Sequence, residues 1–390
     1  MRAAASSRRR VAAPASQTVN WVIKASKLCN LRCSYCYEWG ELADRRRMGL
    51  AVWERMLRTI REYHERRARE SGHFQTCLIW HGGEPTVLPR AYFEEVMALQ
   101  HRILGTQALK DESYFNALQT NLYRLPEDKL DLFKRERFRL GVSFDVVGGV
   151  RVTADGRESE DRVAANMDLL RERGIEVGAI TVLAAHTAPN IKAIYDFYHD
   201  IRMNFRVLPL FDAPNNRPGA SFAVSAAEMS RALCRLFDHW ARKRDRVLVA
   251  PLDDYARTAW LHLSGGTQGP YEREHGEWAI IVNTDGTLYQ VRDAYEPAKA
   301  LGNVLTHSMD QVLASAAYRD SLARDRAMFE KHCGGCEFRD ACNSFPLFES
   351  SYPGPHPERC HVAHPVIRHI VRRARAGHYT PAQLRAMCGA

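Results

Sequence analysis

No run of roughly eighteen consecutive apolar residues occurs anywhere in this chain, so no membrane-spanning helix is expected. The first twenty residues contain neither Asp nor Glu, and no apolar stretch of signal-peptide length. Their Arg-, Ala- and Ser-rich composition loosely imitates a mitochondrial transit peptide, but nothing argues for secretion. A cytoplasmic protein is the expectation. No internal repeat is present, which excludes solenoids and propellers. Also absent is a stripe of interleaved basic and aromatic residues, the pattern on which single-stranded nucleic acids stack.

The chain has 390 residues, 45% of them hydrophobic and 26% charged, enough for two to three globular units with a sizeable core. Lys plus Arg outnumber Asp plus Glu by 55 to 46, a formal charge of +9. Part of the excess sits at the ends. Arg2, Arg8, Arg9 and Arg10 lie in a basic tail, and Arg368, Arg372, Arg373 and Arg375 recur at helical spacing. A solvated tail and a solvated helix face account for these charges, and a nucleic-acid partner is not expected. Ten cysteines in a chain without a secretory signal argue for metal or redox chemistry rather than disulfides. Three sit at 29 to 36 and four between 333 and 360. Cys77 and Cys234 read as buried apolar cysteines, and Cys388 falls in a mobile tail.

Apolar strand-like runs alternate with amphipathic stretches. The pattern predicts strands at residues 20–25, 77–80, 114–118, 140–144, 177–183 and 206–210, with helices at 50–70, 90–103, 127–135, 162–172 and 190–199 between them. Six such alternations predict parallel β/α units: an α/β fold with a partial (β/α)6 TIM-like barrel at 20–212, after a flexible basic tail at 1–19. The active-site face of such a barrel is built by the loops that follow the strands. A linker at 212–221, rich in Pro, Asn and Gly, opens a bridging region at 213–275 that holds a helix at 226–243. A small cysteine-rich C-terminal domain is expected at 276–365, beginning with a hairpin of strands 278–282 and 287–291 around Asp285-Gly286. A helix and tail at 366–390 close the chain.

Cys29, Cys33 and Cys36 have the spacing C-x3-C-x2-C, with Tyr35 just before the last. So tight a loop presents three thiolates to one cuboidal iron–sulfur cluster and leaves one iron without a protein ligand. A zinc site, which prefers four closed ligands and C-x2-C pairs, fits the spacing poorly. Gly82-Gly83-Glu84-Pro85 follows the second strand, Gln119-Thr120-Asn121 ends the third, and Val142-Ser143-Phe144-Asp145 ends the fourth, with Arg151 and Arg157 beyond. In this order the motifs resemble those of the radical S-adenosylmethionine (SAM) superfamily. The resemblance implies a 4Fe-4S cluster on Cys29, Cys33 and Cys36 whose open iron binds and cleaves SAM. It further implies that Tyr35, Gln119 and Asn121 line the SAM site, and that Gly82, Gly83 and Glu84 surround the SAM amino group. Ser143 and Arg151 match the contacts to ribose and carboxylate, with Arg157 a competitor because the spacing is short. Leu208 matches an adenine contact, with barrel core as the alternative. Leu122 stands where the family usually has glycine.

Cys333-Gly-Gly-Cys336-x5-Cys342, with Cys360 after a gap, resembles the SPASM domain of radical SAM peptide maturases and implies an auxiliary 4Fe-4S cluster. Structural zinc on four thiolates is the alternative. The full SPASM pattern carries two auxiliary clusters, with further cysteines where Val291 and Pro346 stand here, so one auxiliary cluster is expected. Sulfatase maturases place an Asp directly after the first of those cysteines. Here that position is Arg292, and Asp293, one further, is the candidate catalytic base, or else a loop carboxylate paired with Arg.

The expected function is a SPASM-type peptide maturase that abstracts a side-chain hydrogen from a ribosomal precursor peptide and installs a crosslink of the cyclophane type. About twenty residues precede the barrel, too few for a separate peptide-recognition domain. A low-potential electron donor of flavodoxin or ferredoxin type is implied. The alternatives are an anaerobic sulfatase maturase that makes formylglycine, or a radical SAM enzyme acting on a small molecule or RNA.

Overall fold

Each predicted strand places one side chain in two against the helices, and this periodicity builds a sheet covered by helices on its outer face. The computed structural model describes residues 18–210, 222, 224–271, 273–291, 296–344 and 360–389. Strands β1 (Thr18–Ser26), β2 (Gln75–Gly82), β3 (Tyr114–Thr120), β4 (Arg139–Ser143), β5 (Val177–Leu183) and β6 (Phe205–Pro209) pair in parallel in that order. The helices of these units are α1 (Leu50–Ser71), α2 (Arg90–Gln100), α3 (Thr106–Lys110), α4 (Leu130–Arg135), α5 (Glu160–Glu172) and α6 (Ile191–Asp200). The expected six-unit partial barrel is therefore present. A π-helical turn at His101–Gly105 follows α2 and leads into α3, so the helical stretch runs past the expected end at 103.

After α7 (Ala226–Trp240), a two-residue strand, β7 (Val249–Ala250), extends the barrel by one further parallel pairing. Next come α8 (Leu252–Ser264), the hairpin β8 (Ala279–Val282) and β9 (Thr287–Gln290), and β10 (Gly302–Asn303). Helices α9 (Met309–Leu313), α10 (Ala316–Cys333), α11 (Cys360–Arg375) and α12 (Pro381–Met387) complete the described chain. The hairpin is not a separate sheet. β8 pairs with β1 in parallel, so one sheet runs β10-β9-β8-β1-β2-β3-β4-β5-β6-β7.

The core forms on the helix side. Trp53, Met56, Leu57, Ile60 and Tyr63, at helical spacing on α1, meet Trp21, Leu78 and Trp80 of the sheet. Trp80 stacks on Phe93 of α2 with centroids 4.7 Å apart. A second cluster joins β4 to β7 with α5 to α8, α11 and α12. On the inner face the alternate residues Val22, Ile79, Ala117, Ser143, Val182 and Leu208 are only half-buried.

Two expectations change. The closing helix begins at Cys360 rather than after Pro365. Proline there leaves the His361 carbonyl without its intrahelical donor, and the Ser230 hydroxyl of α7 donates to it at 3.4 Å. Cys388 is buried in the second core cluster rather than in a free tail, because α12 packs on α8. The predicted linker at 212–221 lies outside the described residues. Cys77 is buried as expected, and Cys234 packs half-buried against the core. No helix among the described residues is long and apolar enough to cross a membrane.

Candidate active site

Parallel strands bring their C-terminal ends to one edge of the barrel, and the sequence motifs meet there. The loop from Ser26 to Cys36 leaves β1 and lies across the end of β2. Gly83 N–H donates to the Ser26 carbonyl and Glu84 N–H to the Leu28 carbonyl, each at 2.9 Å. The glycines are needed for this approach. A Cβ on Gly82, where φ is +117°, would meet the Ser26 carbonyl oxygen at 2.1 Å, and one on Gly83 would meet the Lys27 oxygen at 2.3 Å. The residues that make room are thus accommodating the cysteine loop's own backbone.

Glu84 is 1% exposed, and its carboxylate is already engaged by the protein. Thr86 N–H, Thr86 Oγ1 and Thr120 Oγ1 donate to Oε1 at 3.0, 2.6 and 2.8 Å, and Asn121 N–H donates to Oε2 at 2.7 Å. Burial pushes this carboxyl up, and those donors oppose the shift. An ammonium taken up by Glu84 would share a carboxylate that already accepts four hydrogen bonds, three at Oε1 and one at Oε2. The evident work of this side chain is to tie the end of β2 to the end of β3.

The cysteine sulfurs are met by donors from several directions. Leu31 N–H donates to Cys29 and Glu38 N–H to Cys36, both at 3.4 Å. Asn121 Nδ2 donates to Cys29 Sγ at 3.6 Å and Arg151 Nη1 to Cys33 Sγ at 3.9 Å. Burial pushes the Cys29 thiol up to about 12 and raises Cys33 and Cys36 as well. Such thiols stay protonated at neutral pH until iron displaces the proton. Three thiols met by N–H donors, that of Cys33 buried and those of Cys29 and Cys36 half-buried, suit an iron–sulfur cluster, whose potential such hydrogen bonds tune.

Arg151 is the arginine at this site. Its Nε donates to Asp145 at 3.0 Å in an ion pair buried on both sides, and its guanidinium lies 5.4 Å from the Tyr35 ring centroid. Tyr35 donates its hydroxyl proton to the same Asp145 oxygen, and Val182 N–H donates to the other at 2.8 Å. Arg157, the competitor, is exposed and pairs with Asp155. Gln119 Nε2 donates to Ser143 Oγ at 2.8 Å across adjacent strands. Gly141 permits this, since a Cβ there would meet Gln119 Oε1 at 2.3 Å. Leu208 pairs with Val182 on the half-buried inner face, away from the helix-side core.

Asp145 and His186 were not among the expected site residues. Asp145 falls at the end of a motif whose serine drew the attention, although a carboxylate directly after a strand is itself a signal. His186 follows β5 with no motif around it. Backbone strain also collects here. Leu122 has φ +51° and Val146 has φ +67°, conformations that favour glycine and are rare for a β-branched residue. Leu122 thus holds a conformation that glycine adopts at no steric cost.

At the other cysteine group, Cys333, Cys336, Cys342 and Cys360 line a single hollow together with Phe338 and Ile367. Ser344 N–H donates to Cys342 Sγ at 3.3 Å and Phe338 N–H to Cys336 Sγ at 3.4 Å. Burial pushes the Cys342 thiol up to about 12. Four sulfurs around one apolar hollow suit a closed cluster. Among the described residues no three or more His, Cys, Asp or Glu side chains are gathered as a metal ion would need. Asp293, Arg292 and Pro346 lie outside the described residues. Val291 packs against the pair Ile281 and Tyr289, as do Val22 and Ala300.

Fold and site together define an enzyme with a thiolate-held iron–sulfur centre at the mouth of a partial β/α barrel. Residues 23–198 match the Radical SAM superfamily. The serine-type anaerobic sulfatase-maturating enzyme of Bacteroides thetaiotaomicron is 23% identical over 338 residues, covering 81% of this chain and 79% of that protein. The cysteine-type enzyme of Clostridium perfringens is 23% identical over 330 residues, covering 82% and 85%. In fold, the chain resembles native anSMEcpe solved with bound AdoMet and Cp18Cys peptide, with TM-score 0.71 and 19% identity over 92% of this chain and 98% of that one. Streptococcus suis SuiB bound to S-adenosylmethionine gives TM-score 0.55 and 16% identity over 84% and 72%. The chain carries a radical SAM domain at 23–198 and is an enzyme similar along most of its length to the anaerobic sulfatase-maturating enzymes. SAM and a 4Fe-4S cluster are its cofactors.

Proposed function

We propose that the enzyme takes a hydrogen atom from a side-chain carbon of a ribosomally made precursor peptide in the cytoplasm and closes an intramolecular crosslink, with a cyclophane-type C–C bond as the product. The observation that carries this reading is the apolar packing of Val291 with Ile281 and Tyr289. Formylglycine-forming relatives are expected to ligate a second auxiliary cluster at that place, and this chain has hydrocarbon there. When bound, the cluster and SAM supply the 5'-deoxyadenosyl radical that removes the hydrogen.

The chain's own residues divide the remaining work. Cys29, Cys33 and Cys36 hold the SAM cluster, and Cys333, Cys336, Cys342 and Cys360 hold one auxiliary cluster. Glu84 braces the cysteine loop through β3, while Gly82 and Gly83 let it lie close. Arg151 brings a fixed positive charge to Cys33 and, with Ser143, Gln119, Asn121, Tyr35 and Leu208, forms the wall that receives SAM. Asp293 would take the proton released when the crosslinked radical is oxidised, the auxiliary cluster on Cys333, Cys336, Cys342 and Cys360 would accept its electron, and a flavodoxin- or ferredoxin-type protein would supply the electron that reduces the SAM cluster.

A second reading, sulfatase maturation to formylglycine, is favoured by the names of the relatives. Anaerobic incubation of the reconstituted enzyme with SAM, reductant and peptide separates the two. One arm uses a peptide encoded beside this gene, and the other a Cys- or Ser-containing sulfatase peptide. Loss of two hydrogens with a new side-chain link in tandem mass spectra supports crosslinking. A hydrazine-reactive aldehyde in the sulfatase peptide would replace that reading with the second.

A further inference from the structure

Beyond the end of β5, the ring of His186 lies over the cysteine loop. It stacks on Tyr35 with centroids 5.9 Å apart and planes 18° apart, and Phe222 closes the group edge-on, 5.7 Å from His186 and 6.2 Å from Tyr35. The trio packs like hydrocarbon, yet Nδ1 and Nε2 of His186 are both buried without a hydrogen-bond partner among the described residues. Buried ring nitrogens are nearly always bonded, and a pair left without partners at the mouth of a site marks atoms that a ligand would satisfy. Burial holds the imidazole below its ordinary value, with Asp145 raising it and Arg151 lowering it, so the ring is neutral and offers one N–H and one lone pair.

Position narrows the choice of ligand. Tyr35 directly precedes Cys36 and carries the His186 ring stacked on it, so His186 lies beside the cysteine loop that would hold the cluster. β5 lies between β4 and β6, whose ends carry Ser143 and Leu208. A nucleoside has a flat face for this aromatic group and both donors and acceptors for an imidazole. The aliphatic methionyl end of SAM has no flat face. We propose that His186 is a positioning residue for SAM, hydrogen-bonding its nucleoside half through a ring nitrogen while stacked on Tyr35. The inference rests on the radical SAM reading of the site and adds a residue to it.

The test titrates SAM anaerobically into the full-length, iron-reconstituted protein and measures affinity by calorimetry. His186→Phe keeps a stacking ring and removes both nitrogens, and is expected to bind SAM about tenfold more weakly, the effect of one net hydrogen bond. His186→Gln, which restores a polar group at similar reach, is expected to regain part of that loss. A Phe variant that binds SAM as tightly as the wild type overturns the proposal, because stacking alone would then suffice. If the variants lose iron or their circular-dichroism signal, a crystal structure of the wild-type complex with SAM decides. A His186 nitrogen within about 3.2 Å of a nucleoside atom supports the proposal, and a greater separation overturns it. Failure of the wild type itself to bind SAM would sink the underlying radical SAM reading instead.

Discussion

Arg151 Nε lies 3.0 Å from Asp145, with the Arg151 side chain 7% exposed and that of Asp145 0%. A buried ion pair of this kind contributes little by existing, yet removing one partner strands the other charge in a medium that solvates it poorly. Here the pair also anchors Tyr35 and places a guanidinium beside Cys33. The cysteine loop and the ends of β4 and β5 therefore stand or fall together.

Arg151→Ala is expected to cost about 3–5 kcal/mol, because Asp145 would remain buried without its cation. Arg157→Ala, on the surface, is expected to stay within about 0.5 kcal/mol of the wild type. Urea unfolding of the two variants, side by side with their SAM affinities, checks the assignment. Equal losses in both would return Arg157 to contention.

Gly83→Ala places a methyl group 2.3 Å from the Lys27 carbonyl oxygen and 2.4 Å from that of Leu28. Neither atom belongs to a flexible side chain, so the cysteine loop itself must move. Gly72→Ala is a poor control, since its φ is +76°. Gly49→Ala, with open space around its Cβ, is a fair one. Iron content after reconstitution, read against the absorbance of the cluster, is expected to fall sharply for Gly83→Ala and to hold for Gly49→Ala.

The architecture was largely legible because its signals are local. Val177 to Leu183 begins and ends where the alternation says, and the cysteine spacing is a property of eight consecutive residues. What stayed hidden depends on distant partners. That β8 would pair with β1 could not follow from the hairpin's own pattern, and two-residue β7 is too short to carry a period. That Gly82 and Gly83 admit the backbone of Ser26 and Lys27 depends on the approach of another strand's loop, which the motif itself does not carry. The four donors to Glu84 come from Thr86, Thr120 and Asn121, and only folding brings the last two near. His186 gave no signal in sequence, since an orphaned nitrogen exists only in three dimensions.

Acid is expected to destabilise the protein through His81. Its Nδ1 accepts the Gly82 N–H at 2.8 Å, and burial, with the Lys24 ammonium as a lesser cause, holds the imidazole down at about 4. In the unfolded chain the same group titrates near 6.5. As pH falls from about 6.5 to 4, the unfolded state gains a proton that the native state refuses. Its contribution is thus whole above about 6.5 and is lost progressively below, by roughly 3 kcal/mol at pH 4. His81→Gln should flatten the stability profile over that window in denaturant titrations. An unchanged slope would assign the acid sensitivity to other groups.

The auxiliary site makes a prediction about iron that does not depend on turnover. Two 4Fe-4S clusters correspond to about eight irons per chain, and the SAM cluster alone to about four. Cys333 and Cys342 line the hollow with Cys336 and Cys360, and no residue of the Cys29 loop does. Cys333→Ala with Cys342→Ala should therefore remove about four irons and leave SAM binding in place. The triple change of Cys29, Cys33 and Cys36 to Ala should remove the other four and abolish SAM binding. Electron paramagnetic resonance of the reduced variants separates the two signals. Zinc in place of iron after aerobic purification, retained through reconstitution, would convert the second site to the structural alternative. Such a site would still hold α11 against the hollow through Cys360, but it would take no part in electron transfer.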